Sequence, residues 1–394
     1  MQQWLPVFQA LVRARSVFGE EHEAVAVAER ALTGLGVSFA AVPFDTAALS
    51  ALPGAQPPFC GVTGRRNLVA TVSGTGGGRS MIINCHLDVV PEGAHGDWRH
   101  PPFGGVIEEG MIHGRGSFDD KAGAVICLTL LERIAARPLR GDLIAHFVLE
   151  DESTGNGSLL CLEHGPRADA AIIVDGTRGD WGINEHAGNV RFGVSVFGRP
   201  SSVGVSHMGV NAAELLAQLV LELRAAVFGL NRANATPWTR YPSPNQCSVL
   251  SLDCQEAAFT VPALASATCH ATFTPPLQSA GFREMVAAVV RQFAVQHQLE
   301  RAPELDWRGF STEPVRSTSA ELESVIRAAA RVDVPFGPST GTSDLRHFVD
   351  RGIPCVLFGP GRGQNPHRAD ECFELNSLEE TTAILERTIT AWCA

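Results

Sequence analysis

His86 and Asp88 stand two residues apart at the end of an apolar run, an imidazole next to a carboxylate. Met81 to Ile83 and Val89-Val90 read as a buried strand on either side of them. Side chains at i and i+2 of a strand share a face, so the pair would sit side by side. A neutral ring nitrogen can ligate a metal, and a carboxylate can orient the ring or bind directly. Taken alone, the pair fits a solvated His beside an Asp equally well. Further acids fall in comparable places. Gly114-Arg115-Gly116-Ser117-Phe118-Asp119-Asp120 is a glycine-punctuated loop that brings two acids to the start of a helix expected over Lys121 to Ala136. Acids at a helix N-terminus are favoured by the backbone dipole, so a capping pair is the alternative to a ligand. The glycine spacing is not that of a phosphate loop, and the acids would repel phosphate. A strand expected over Asp142 to Leu149 ends in Glu150-Asp151-Glu152, which need a cation if buried and are otherwise solvated. Another, over Ala170 to Val174, ends in Asp175. A late imidazole, His367, lies in Pro366-His367-Arg368-Ala369-Asp370-Glu371. A G-x-S-x-G nucleophile elbow is absent from the sequence, which argues against a serine hydrolase.

The elements that must position these residues follow from periodicity. Gln2 to Arg15 and Glu20 to Leu32 have helical spacing, and Asn67 to Val72 and Ser80 to Asn84 read as strands around a glycine-rich turn at Gly74 to Gly78. Trp98 to Gly105 reads as loop. From Asn189 the pattern changes: a strand over Val190 to Phe197, loop to Gly209, a helix over Val210 to Phe228, strands at Val249 to Leu252 and Ala267 to Phe273, and a helix over Ala280 to His297. This β-α-β-β-α-like block is a candidate inserted domain, whose edge strand could pair across a dimer. Alternation of helix and strand returns near Trp307, with helices over Ala320 to Arg331 and Leu378 to Trp392 and a strand over Ile353 to Phe358. Ser377 and Glu380 have capping-box spacing. Strands alternating with helices indicate an α/β sheet, and ligands of such sheets gather beyond the carboxyl ends of the strands.

Composition bounds the function. With 394 residues, two domains are expected. A net charge of -11 argues against nucleic acid as a partner. Neither a signal peptide at Met1-Gln2-Gln3-Trp4 nor a membrane span is expected; the long tract without charged residues, Ala257 to Phe282, is broken by Pro262, Pro275 and Pro276. Ten cysteines without CxxC spacing suggest free thiols in a reducing compartment, hence a cytoplasmic location.

In order, His86-Leu87-Asp88-Val89-Val90-Pro91, Gly114 to Lys121, Glu150-Asp151-Glu152, Asp175, Gly341-Thr342-Ser343-Asp344 and His367 resemble the co-catalytic di-zinc amidohydrolases. These include acetylornithine deacetylase, succinyl-diaminopimelate desuccinylase, aminoacylase and glutamate carboxypeptidase. The resemblance spans nearly the whole chain. It implies an α/β fold: a mixed-sheet, zinc-exopeptidase-like catalytic domain over residues 1–187 and 301–394, with a smaller α+β dimerisation (lid) domain inserted at 188–300. It implies two divalent metal ions, zinc with cobalt or manganese as alternatives, held by His86, Asp119, Glu152, Asp175 and His367. Asp119 would bridge, and Asp88 would orient His86. It implies hydrolysis of the C–N bond of a small N-acyl amino acid or related amide by a metal-activated water, with Asp151 as general base, and a homodimer.

The sequence departs from that pattern in three places. The base is Asp151 where the family usually has Glu, with Glu150 as the alternative. Asp is shorter by one methylene, a reach smaller by about 1.5 Å. Ser202 stands where the family carries a His that stabilises the developing oxyanion, and His207 follows five residues later. The segment Ala271 to Pro276 lacks the Arg many relatives use for a substrate carboxylate; Arg346 or Arg240 is the substitute, with Asn245 and Gly341 as further substrate contacts. These departures leave two other readings open: hydrolysis of an unusual non-peptide or aryl amide, and a catalytically impaired metal-binding homologue.

Overall fold

The computed structural model describes residues 2–233, 238–254 and 258–394; Met1 and Ala257, both used above, lie outside them. The chain divides into two compact units: 1–184 with 316–337 and 343–394, and 185–315 with 338–342.

The first unit is built on a mixed sheet. Its strands run in the order Ser38–Pro43, Arg66–Val72, Leu143–Val148, Met81–His86, Ala170–Ile173 and Cys355–Leu357. The last four pair in parallel, while Arg66–Val72 is antiparallel to both its neighbours. Parallel pairing brings the carboxyl ends of four strands to one edge. His86 is the last residue of its strand, and Glu150 and Asp175 lie two residues past theirs. Every residue of Met81–His86 and Leu143–Val148 is buried, as expected of parallel strands covered on both faces. The helix Lys121–Ala136 covers one face. Gly123 makes its close approach possible: a Cβ there would lie 2.4 Å from the Val174 carbonyl oxygen and 2.3 Å from Asp120. Beside the main sheet is a four-stranded antiparallel one, in the order Gly363–Gln364, Cys372–Glu374, Met111–His113, Val106–Glu108.

The second unit is an antiparallel sheet ordered Gln246–Cys254, Leu264–Phe273, Gly188–Phe197, Glu304–Asp306. Residues of Leu264–Phe273 alternate between buried and half-buried. The buried face packs under the helices Ala212–Gly229 and Ser279–Gln296, in a core that includes Phe192, Leu219, Phe273, Phe282 and Phe293. Gln246–Cys254 is the edge strand and exposes Leu250 and Leu252.

Some local expectations are corrected. The strand expected to run through Asp88 stops at His86, so Asp88 lies in the coil beyond it. The C-terminal helix begins at Leu375, ahead of the expected capping box. Ser377 Oγ instead donates to the Glu374 carbonyl (2.8 Å) and Glu380 pairs with Arg362 (2.6 Å). The short helix Thr46–Ala51 and the four-stranded sheet, for which the sequence pattern predicted no element, are ordered. Among the described residues no helix is long and apolar enough to cross a membrane.

One buried network anchors the sheet edge. The Arg65 guanidinium sits between Glu21 (2.6 Å) and Glu150, with all three side chains at most 5% exposed. Removing the cation would leave two buried carboxylates facing each other. Arg65→Ala is expected to lower stability by about 3–5 kcal/mol, read as a shift in the urea unfolding midpoint with an unchanged slope.

Candidate two-metal site

The strand ends and two loops converge on Asp119. One carboxylate oxygen, Oδ1, lies 3.0 Å from His86 Nε2; the other, Oδ2, lies 3.1 Å from His367 Nε2. His367 Nε2 is also 3.0 Å from Glu152. Two sets of donor atoms result, His86 with Asp119 and Asp175, and Asp119 with Glu152 and His367; the atoms of each lie within 4.8 Å of one another. Asp119 belongs to both. Histidine and carboxylate donors suit zinc and other borderline divalent ions, and a shared carboxylate can hold two ions about 3.5–4 Å apart.

The electrostatics call for cations. Burial, then the Asp119 charge, pushes Glu152 up to about 8. The same two causes hold Asp175 well above the usual carboxylate range. Hydrogen bonds to Asp119 and then to Glu152 raise His367 to about 11. Carboxylates crowded in this way, with only imidazolium to neutralise them, are the surroundings a pair of dications would relieve. The donor set therefore fits the implied metals.

The second layer is built from backbone contacts. His86 Nδ1 lies 3.0 Å from the main-chain carbonyl of Asp88 and 3.6 Å from its carboxylate, so the carbonyl holds the ring more closely than the side chain does. Asp88 Oδ2 accepts the Glu152 N–H (3.2 Å). Asp120, next to the N-terminus of the helix, makes no side-chain cap; its Oδ2 accepts the His86 N–H (3.3 Å). Glu150 faces away into its network with Arg65 and also accepts from the Thr154 hydroxyl and from Asn156 (3.3 Å). Asp151 instead feels His86, Asp88 and Asp119; burial, the largest effect, raises its pKa. Of the two base candidates, only Asp151 is turned toward the donor sets.

Other predicted residues have different settings. Arg346 is buried, and its guanidinium donates to the carbonyls of Ser343 (2.7 Å) and Thr154 (2.7 Å), with Asp344 3.7 Å away. In the second unit, Ser202 is exposed and bridges Thr260, while exposed His207 lies in the short turn Val203–Met208. Asn245 is buried: its Oδ1 accepts the Thr274 N–H (2.8 Å), and its Nδ2 donates to Asn231 (3.1 Å). Gly341 is exposed, with its N–H on Ser339 Oγ (3.0 Å). Arg240 is exposed, 5.5 Å over the Tyr241 ring.

Sequence reasoning gave no role to Glu371, yet it carries the loop that delivers Asp119. Its Oε1 accepts the N–H groups of Phe118 (3.0 Å) and Asp119 (3.1 Å); its Oε2 accepts that of Gly116 (3.0 Å) and pairs with Arg115 (2.6 Å). Its place in the same run as His367 was the only signal available. Asp344 was quoted only as part of a motif. It is buried against Asp151, and burial, then the Asp151 charge, holds it well above the usual range.

Carboxylates and imidazoles gathered beyond the carboxyl ends of parallel strands, in two sets that share Asp119, are an arrangement suited to two-metal hydrolysis. The model of peptidase family M20/M25/M40 matches residues 82–391, and the chain belongs to this family of amide hydrolases. It is 29% identical to a succinyl-diaminopimelate desuccinylase of Methylobacterium nodulans, over 98% of this chain and 96% of that one. It is 26% identical to an N-formyl-4-amino-5-aminomethyl-2-methylpyrimidine deformylase of Bacillus subtilis, over 84% of each. Its fold matches a tripeptidase of Staphylococcus aureus with a TM-score of 0.77 at 18% identity, over 100% of this chain and 98% of that one.

Because Glu371 holds four donors around the loop before Asp119, Glu371→Ala should free that loop. The expected outcome is metal affinity weaker by about 10–100-fold, as for removal of other outer supports of metal ligands, measured by competition with a chromophoric chelator.

Proposed function

We propose that this chain hydrolyses the C–N bond of a small N-acyl amino acid or related amide at the Asp119 centre, with two divalent ions, zinc in the first instance. The observation that carries this reading is the arrangement of Asp119, one oxygen toward His86 and the other toward His367. When bound, the ions would polarise the substrate carbonyl and make a water acidic enough to react near neutral pH. His86, Asp175, Glu152 and His367 would hold the ions to either side of Asp119. Asp151 would accept a proton as the water oxygen bonds to the carbonyl carbon, then pass it to the nitrogen as the C–N bond breaks. Being one methylene shorter than a glutamate, it would need the reacting water about 1.5 Å nearer the strand end. Asp88 and Asp120, through main-chain contacts to or from the His86 residue, would fix that ligand's position.

A second reading, an amide without a free carboxylate, is favoured by particular residues. Arg346 is committed to main-chain carbonyls, and the segment Ala271 to Pro276 carries no Arg. The deformylase relative, named for an aromatic pyrimidine amide, supports the same direction. The exposed Leu250 and Leu252 of the edge strand support a homodimer through the second unit. The ten free cysteines support a cytoplasmic setting.

Asp119→Ala is expected to abolish turnover and the two metal equivalents of the Asp119 centre, and Asp151→Asn to lower kcat by about 10²–10⁴-fold with metal content retained. A panel of N-succinyl and N-acetyl amino acids against N-formyl aryl-methylamines separates the two readings. Turnover of none of them by the zinc-, cobalt- or manganese-loaded protein contradicts both. For the dimer, Leu252→Asp should give a monomer in sedimentation velocity; an unchanged dimer, or a monomeric parent, contradicts the edge-strand interface.

A further inference from the structure

A second group of donors lies outside the Asp119 centre and shares no residue with it. His100, Glu108 and His113 each present one ligand atom, and these atoms lie within 4.8 Å of one another. The hairpin that carries two of them is tightly specified. Val106–Glu108 pairs with Met111–His113 through Glu109 and Gly110, whose φ values of 48° and 78° are those of a turn matched to strand twist. Val106 is opposite His113 and Glu108 opposite Met111. Opposed residues share a face, and so do residues two apart, which puts Glu108 and His113 diagonally on one face. His100 comes from the preceding segment, where the Arg99 N–H donates to Asp370 (2.7 Å) and Gly104 closes a turn onto Pro101 (2.9 Å). The two imidazoles lie 4.6 Å apart between centroids, tilted by 46°. His100 Nε2 is buried and accepts or donates no hydrogen bond among the described residues, although the Glu108 carboxylate stands 3.3 Å away.

We propose that His100, Glu108 and His113 form a separate binding site for one divalent transition-metal ion of the zinc type. Two imidazoles and a carboxylate are a sufficient zinc donor set, with a fourth position left for water. Around a tetrahedral zinc ion the donor atoms stand about 3.3 Å apart. The donor atoms, within 4.8 Å of one another, lie within about 1.5 Å of that spacing, and the exposed Glu108 leaves an entry path from solvent. Burial, and next the neighbouring His100, keep His113 below its ordinary pKa, in the neutral form a ligand needs. An ion there would tie the segment around His100 to the hairpin, whose second strand runs directly into Gly114 and the loop that carries Asp119. The site would act as a clasp beneath the catalytic loop and take no part in the reaction.

Equilibrium dialysis of the full-length, chelator-stripped protein against buffered zinc chloride, with metal counted by plasma mass spectrometry, tests this directly. Asp119→Ala with His367→Ala is expected to retain one zinc equivalent, and adding His100→Ala and His113→Ala to remove it. In the otherwise unaltered chain, His100→Ala with His113→Ala is expected to lower the stoichiometry by one. Glu108→Gln, at an exposed position that folding does not need, is expected to weaken that equivalent on the order of tenfold or more. Zinc affinity unchanged by Glu108→Gln, or a stoichiometry unchanged by loss of both histidines, would overturn the proposal. So would the absence of a zinc equivalent from the Asp119/His367 variant. Because that variant removes the Asp119 centre, the outcome does not depend on whether that centre is read correctly.

Discussion

Carboxylates brought together away from water repel one another and resist ionisation, and this constraint organises the first unit. Parallel pairing of four strands delivers His86, the Glu150–Glu152 triplet and Asp175 to one edge of the sheet. The helix Lys121–Ala136, seated closely through Gly123, adds Asp119 and Asp120 from above. Such a collection stays ionised only if cations meet it. The protein supplies them in two ways. Arg65 neutralises Glu21 and Glu150 on the structural side, permanently. On the other side two imidazoles meet the carboxylates around Asp119, and the donor geometry there is suited to two metal ions.

The triplet Glu150-Asp151-Glu152 thus divides its labour. Glu150 turns back toward Arg65, with a positive φ of 71° that aims it away from its neighbours. Asp151 and Glu152 turn toward the imidazoles. Glu371 performs a similar service for the opposite side of the centre, gathering N–H groups from Gly116, Phe118 and Asp119. Rigid placement of this kind matters because misplacement on the order of 1 Å can cost about a hundredfold in rate.

Much of this was legible in the sequence, for definite reasons. An apolar run that stops at a charged residue marks both a strand and its end, so His86, Asp175 and the triplet could be placed from pattern alone. The ordered motifs then pointed to the family, which the family match over residues 82–391 bears out. What stayed hidden depends on contacts distant in sequence. Glu371 and Arg65 act on loops 252 and 85 residues away, and nothing local signals it. The four-stranded sheet has strands of two or three residues, too short for a period to be read. Strand periodicity placed Asp88 beside the His86 ring, whereas the chain leaves the strand at His86 and the nearer contact is a main-chain carbonyl.

The proposed function rests on Asp119 serving two ions at once. Anomalous diffraction at the zinc edge, from crystals of the zinc-loaded protein, measures that directly. At the Asp119 centre two peaks are expected, each about 2.0–2.2 Å from a different oxygen of Asp119, one beside His86 and Asp175 and the other beside Glu152 and His367. A single peak at that centre, or none in contact with Asp119, would contradict it.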